Sequence, residues 1–349
     1  MAISVQSNWA FWLPAECIVR SGNGRAYPSV MREGKGCRLT DVEGNSWIDM
    51  AMTGGSALLG YAYPAVQAAI EAELGSSAIL TLPHLLEIEV SALLRKLFPG
   101  GEMVVFGKHG SDACTAAVRA ARLHTGRRKI LYSGYHGWND WFVAEGKPEL
   151  YRFGANDLAG WARLFAEHAG QVAAVMIEPG AQAVGVHGPI VDADVAFLRR
   201  AQRLCSENGA VLIFDEIITG FRYRAGSVQH APGVVPDATC LGKAPSGGRE
   251  LSALLGSKAI LGTTLSRAHY YPTFRGEVYS LAAAKAALRV YGQTDVPGEV
   301  ERIGRKLFDL GVNAARGADV SGLYVAFFGA RGGGVGGGDC RLRRGVTAG

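Results

Sequence analysis

Within residues 210–243, AVLIFDEIITGFRYRAGSVQHAPGVVPDATCLGK, two short apolar runs each end in a group able to do chemistry. The first, Val211-Leu212-Ile213-Phe214, reads as a buried parallel strand and stops abruptly at Asp215 and Glu216. The second, Ala238-Thr239-Cys240-Leu241-Gly242, delivers the lone amine of Lys243. Open α/β sheets bind ligands at the carboxyl ends of their strands, so both groups are expected at one edge. A lysine amine can form a Schiff base with an aldehyde, and a carboxylate can keep a pyridine nitrogen protonated. That pair of abilities suits pyridoxal 5′-phosphate (PLP). Taken as two isolated residues, Asp215 and Lys243 fit an ordinary structural ion pair at least as well.

Three further stretches bear on the choice. Met103-Val104-Val105-Phe106 reads as a strand, followed by Gly107-Lys108-His109-Gly110-Ser111-Asp112 and an alanine-rich helix to about His124. A glycine permits close backbone approach, and a helix N-terminus offers unpaired N–H groups to a phosphate. Ser111 or Asp112 acting simply as a helix cap explains the same residues equally well. After Ile130-Leu131-Tyr132 comes Ser133-Gly134-Tyr135-His136-Gly137-Trp138, an aromatic between glycines that can lie flat on a planar ring. His136 and Asp140 have helical metal-ligand spacing but no third ligand, so no metal is expected. Val172–Ile177 ends in Glu178-Pro179, again a carboxylate at a strand's carboxyl end.

The elements that must position these groups follow from periodicity. A helix over 195–207 leads into the 211–214 strand, and the alternation of strands with helices predicts a mostly parallel sheet. Gly36–Asp49 reads as a hairpin turning at Glu43-Gly44-Asn45. Pro64 opens a helix. Another covers 85–97, with Ile88, Val90, Leu93, Leu94 and Leu97 as its apolar stripe. Leu251–Gly256 is a further buried run, Ser280 to about Tyr291 a helix, and 299–310 an amphipathic segment.

Composition closes off other classes. The chain has 349 residues, 48% hydrophobic and 19% charged, which describes a globular protein. No apolar run reaches the roughly 18 residues of a membrane span. The N-terminus lacks a secretory pattern, so a cytoplasmic location is expected. The six cysteines show neither metal-ligand nor disulfide spacing. Of the net charge of +5, residues 331–349 supply +3 from four arginines and one aspartate, and no basic stripe suggests nucleic-acid binding. The GxGxxG at Gly332, Gly334 and Gly337 sits in low-complexity sequence without βαβ context and is not a dinucleotide site.

Taken together, the motifs resemble the class III PLP-dependent aminotransferases of fold type I, nearest the glutamate-1-semialdehyde aminomutase-like branch. The resemblance covers roughly residues 30–310. It is carried by Asp41–Asp49, Gly110-Ser111-Asp112-Ala113, Tyr135-His136-Gly137, Asp215–Arg222, Leu241-Gly242-Lys243 and Thr273-Phe274-Arg275-Gly276. The resemblance implies a large domain over 51–295 around a mostly parallel sheet, with a smaller α/β lobe. That lobe draws its N-terminal segment and hairpin from 1–50 and a remnant from 296–330. A Gly/Arg-rich tail at 331–349 is expected to be disordered. Because matching sequence thins near Phe328, the C-terminal lobe is expected to be incomplete.

The same resemblance implies roles. Lys243 would hold PLP as a Schiff base and move the proton, Asp215 would face the ring nitrogen, and Tyr135 would stack on the ring. Gly110, Ser111 and Asp112 would form the phosphate turn, with His136, Glu178 and Ile218 also at the cofactor. Thr273 would reach the phosphate of a neighbouring subunit in a homodimer. The implied reaction moves an amino group between a small amino donor and a carbonyl acceptor, with no part for nucleic acid or membrane. An intramolecular 2,1-aminomutase or an inactive PLP-binding relic are the alternatives. Arg25 and Arg222 are open candidates for a substrate carboxylate.

Overall fold

The structure, a computed structural model, describes residues 30–49, 52–143, 149–154, 156–180, 182–183, 190–191, 195–222, 229 and 233–317. Arg25, the end of the 296–330 segment and the 331–349 tail lie outside them. Strands β1 (Met31–Lys35), β2 (Arg38–Asp41) and β3 (Ser46–Ile48) form a small antiparallel sheet. The expected turn at Glu43–Asn45 is closed by Asp41, whose carboxylate accepts from the N–H groups of Glu43 and Asn45 and from the Trp47 indole. Next come α1 (Met52–Gly55), a single turn with left-handed backbone, and the helices α2 (Pro64–Glu71) and α3 (Leu85–Leu97).

The remaining strands are β4 (Met103–Gly107), β5 (Lys129–Ser133), β6 (Leu150–Arg152), β7 (Val172–Ile177), the short pair β8 (Gln182–Ala183) and β9 (Ile190–Val191), β10 (Val211–Asp215), β11 (Ala238–Leu241) and β12 (Ser252–Gly256). Between and after them lie helices α4 (Gly110–Thr125), α5 (Asp140–Val143), α6 (Leu158–Glu167), α7 (Val195–Asn208), α8 (Lys258–Arg267), α9 (Val278–Gln293) and α10 (Val296–Gly317). Seven strands make one sheet in the order β4-β12-β11-β10-β7-β5-β6. Only β12 opposes its neighbours; the other six strands run one way, so their carboxyl ends share an edge.

Both faces of that sheet are covered, which is why β7 and β10 are continuous apolar runs. Along β10, Val211 and Ile213 pack toward one core while Leu212 and Phe214 pack toward the other. The second core is aromatic, with Phe153 just after β6, Trp161 and Phe165 from α6 and Phe197 from α7 filling the space. The first is built against α4, whose Ala113, Ala116, Ala117, Ala120 and Ala121 are all buried. These small side chains let α4 lie close across β12, β11, β10 and β7. The helix therefore brings its first turn onto the sheet edge. Among the described residues no helix is long and apolar enough to cross a membrane.

One expectation about α3 needs correction. The helix has the expected bounds, but Ile88 is 66% exposed, and Leu86, Val90 and Leu94 form its buried line. Their spacing of four fixes the core-facing side, and Ile88, two residues from Leu86, turns away from it.

Candidate active site

Strand register alone sets most of the geometry. Phe214 pairs with Ile177 and Ile177 with Ser133, so Asp215, Glu178 and Gly134 leave the edge at one level. Asp215 pairs with Cys240, and Lys243 follows three residues on, beyond the end of β11. Lys243 adopts a left-handed backbone, φ 61° and ψ −95°, just before a short 3₁₀ turn over Ala244–Ser246. A side chain larger than glycine is strained there, and such strain is characteristic of functional positions. Its amine donates to the carbonyl of Gly54 at 2.8 Å. Burial pulls the amine's pKa below the usual lysine range; the charges of Asp215 and Glu178 oppose that, and Arg222 adds to it.

Asp215 is almost wholly buried. Its Oδ1 accepts the Ile217 N–H at 3.1 Å, and its Oδ2 receives His136 Nδ1 at 2.8 Å and Cys114 Sγ at 3.5 Å. Because a carboxylate only accepts, Nδ1 of His136 carries the proton. The imidazole itself is fully buried, edge-on to Phe142. The adjacent Glu216 serves another network: its Oε1 accepts from Gln229 Nε2 at 2.9 Å, in the buried interior.

Tyr135 remains 44% exposed at the sheet edge, with its ring edge-on to Phe142. Glu178 lies beneath this turn and accepts the Tyr135 N–H at 3.3 Å. Gly134 has φ 112°, and a Cβ there would collide with the Glu178 carboxylate, so the close approach requires glycine. Burial, then the charge of Asp215, pushes the Glu178 carboxyl well above the usual glutamate range.

The first turn of α4 is similarly compact. A Cβ on Gly110 would sit 2.6 Å from Ile217, and one on Gly137 2.5 Å from Ser111 Oγ. Ser111 Oγ accepts the Trp138 N–H at 3.2 Å. The Asp112 carboxylate accepts the N–H groups of Lys108 and His109 at 3.0 and 2.9 Å, so as the N3 residue it reaches back in a capping box to the N-cap, His109. The capping and anion-binding readings of this loop are thus compatible. Asp112 organises the turn, while Gly110 and Ser111 present first-turn N–H groups.

Arg222 is committed to structure: Nε donates to the Ile218 carbonyl at 2.9 Å and a terminal nitrogen to that of Gly55 at 3.0 Å. Ile218 thereby enters the site through its backbone. Lys243 and Arg222 grip adjacent carbonyls of one left-handed turn, where Met52, Thr53, Gly54 and Gly55 all have positive φ. Thr273 lies apart from these groups, exposed in the 273–276 turn.

The donor set fits PLP. A lysine amine is available for a Schiff base, a buried carboxylate could face a ring nitrogen, a half-exposed tyrosine stands at the same edge, and a helix N-terminus could take a phosphate. Sequence reasoning missed Cys114, Cys240 and the Met52–Gly55 turn as parts of this site. Cys114 was the most findable, because it lies four residues after Gly110 and so on the same helix face.

Residues 20–313 match the family described as aminotransferase class-III. The 2′-deamino-2′-hydroxyneamine transaminase of Streptomyces kanamyceticus is 34% identical over 286 residues, 80% of this chain and 70% of that protein. A glutamate-1-semialdehyde 2,1-aminomutase of Roseiflexus castenholzii is 33% identical over 86% of this chain and 74% of its own length. Among solved structures, the FumI protein of Sphingopyxis sp. MTA144, in its PLP internal aldimine form, superposes with a TM-score of 0.77. It is 27% identical, over 83% of this chain and 72% of that one.

Proposed function

The chain belongs to the class-III aminotransferases, and from that premise we propose that it moves an amino group between an amino acid and a carbonyl compound, with Lys243 and Asp215 at its centre. The observation that carries this is the strand register, by which Asp215 and the half-buried Lys243 follow the ends of adjacent parallel strands. PLP bound there supplies an aldehyde for amines and a protonated pyridine ring that stabilises negative charge on a neighbouring carbon.

Each residue has a definable task. Lys243, with its pKa lowered by burial, has a larger unprotonated fraction near neutral pH and can act as nucleophile and as proton carrier. Asp215, held as an acceptor by three donors, keeps a ring nitrogen protonated. Tyr135 covers one ring face. Gly110 and Ser111 take the phosphate at the start of α4, where the helix dipole favours an anion. Asp112 supports them through its capping box with His109, His136 fixes Asp215, Glu178 braces the Tyr135 turn, and Ile218 anchors Arg222 through its carbonyl.

The same proposal includes a homodimer in which Thr273 serves the neighbouring site, in a cytoplasmic setting. Thr273 stands beside an uncovered apolar face: Leu82, Leu85 and Ile88 are 76%, 62% and 66% exposed, with Tyr271 and Phe274 nearby. These belong together, because Ala78 accepts the Val278 N–H at 2.8 Å and a Cβ on Gly276 would touch Glu87. An apolar patch of this kind marks an association surface.

The reading is tested by reconstituting the chain with PLP, reducing with borohydride and locating the label. Label on Lys243 is expected; label elsewhere, or no retained PLP, overturns the assignment. Release of a free keto acid from an amino donor is expected of a transferase. Isomerisation without that release would instead make the chain an aminomutase.

A further inference from the structure

Asp215 is held by more than its histidine. A buried carboxylate is costly unless its oxygens are hydrogen-bonded, and its second oxygen receives both His136 Nδ1 and Cys114 Sγ. The thiol is the donor in that contact, because the carboxylate has no proton to give. Cys240 lies in the same core as Cys114, and both thiols are fully buried. Burial pushes the Cys114 thiol well above the usual cysteine range, so it stays protonated and remains a donor.

The position of Cys114 along α4 gives this bond its consequence. It lies one turn below Gly110, on the face pressed against Ile217 and Gly242. That face connects the first turn of the helix to the end of β10. We infer that Cys114 is a positioning residue: its thiol ties the helix assigned to the phosphate to the carboxylate assigned to the pyridine nitrogen, and holds that carboxylate as an acceptor. This rests on the role proposed for Asp215. Without the thiol, His136 is the only side-chain donor to Oδ2 among the described residues, and the carboxylate is freer to rotate. The result is a weaker grip on a protonated ring nitrogen.

The experiment compares apo preparations of the wild type, Cys114→Ser, Cys114→Ala, Cys114→Val, Asp215→Asn and the Asp215→Asn/Cys114→Ala double variant. It measures PLP dissociation constants by tryptophan quenching and the pH dependence of the absorbance of bound PLP. Cys114→Ala is expected to weaken PLP binding about three- to tenfold and to shift the spectral titration. Cys114→Val, which fills the space without a donor, falls with it, and Cys114→Ser stays within about twofold of the wild type. In the Asp215→Asn background, Cys114→Ala adds no further loss, because the effect runs through Asp215. Wild-type binding and titration in Cys114→Ala, an equal loss in Cys114→Ser, or a full additional loss in the double variant overturns the inference. Wild-type affinity and spectrum in Asp215→Asn overturn the Asp215 assignment, and the inference with it.

Discussion

The carboxyl edge of the seven-stranded sheet and the face made by the start of α3 with the 271–276 turn are built on opposite terms. At the edge, Asp215 has three donors, Glu178 is packed beneath Gly134, and Arg222 and Lys243 hold adjacent carbonyls of one turn. Nothing from outside the chain is needed to orient these groups. On the α3 face, leucine, isoleucine and phenylalanine side chains stand in the open, and Thr273 makes its turn among them. The groups of the first region are held by their own chain, and the proposed function gives them the chemistry; the second is an exposed apolar face, and the proposed function gives it the assembly. On that division, substitutions at the edge change chemistry without changing assembly, and substitutions on the face do both.

The largest effect is expected from Lys243→Ala. Loss of the amine removes nucleophile and proton carrier together, so turnover should fall by roughly 10³-fold or more, while sedimentation still reports the wild-type assembly. PLP held through the α4 turn should remain partly bound. Asp215→Asn comes next. A neutral amide cannot keep a pyridine nitrogen protonated, so activity should drop by more than about tenfold, or roughly 1.4 kcal/mol of barrier. A smaller drop would remove Asp215 from the ring nitrogen. Both variants should dimerise normally, and a monomer in either would break the division.

On the other side of the comparison, Ile88→Glu places a charge in the middle of the exposed apolar face. Dimerisation should weaken by about 2 kcal/mol or more, read by sedimentation over a concentration series. PLP affinity should fall with it, because the proposed shared site would lose its Thr273. Mixing Lys243→Ala chains with Thr273→Ala chains sharpens the point. A mixed dimer can collect both lesions in one site and leave the other intact, so activity should reappear. Verified mixed dimers without recovery would confine each site to its own chain.

The same contrast explains what the sequence could disclose. The edge was legible because its signals are local: an apolar run must end, and Asp215, Glu178 and Lys243 are the residues that end it. The helix at 85–97 was legible in its bounds for the same reason. Its facing was not, since Ile88 satisfies an apolar pattern whether a neighbouring element or another molecule covers it. The roles of Cys114 and Arg222 depend on partners 101 and 167 residues away. No local pattern announces such contacts. Glu216 shows the limit most directly: it neighbours Asp215 in sequence, yet its carboxylate is bound by Gln229 in the interior.

The smallest effect tests the cost of crowding two carboxylates at the edge. Glu178 ionises near 4.5 in an ordinary setting, and burial followed by the Asp215 charge raises its folded value well above that. Between the two values the folded chain holds a proton that the unfolded chain has released. Stability attributable to Glu178 is therefore intact below about 4.5, declines as pH rises through the window, and is fully lost above the folded value. Glu178→Gln titrates nothing and can still accept the Tyr135 N–H. Urea unfolding at acidic and neutral pH should show the variant gaining on the wild type as pH increases. Lys243 opposes the shift through its charge, so the gain should be larger in a Lys243→Ala background. A gap between variant and wild type that stays constant with pH would mean that Glu178 ionises as an exposed glutamate does, and that the edge carries its second carboxylate without penalty.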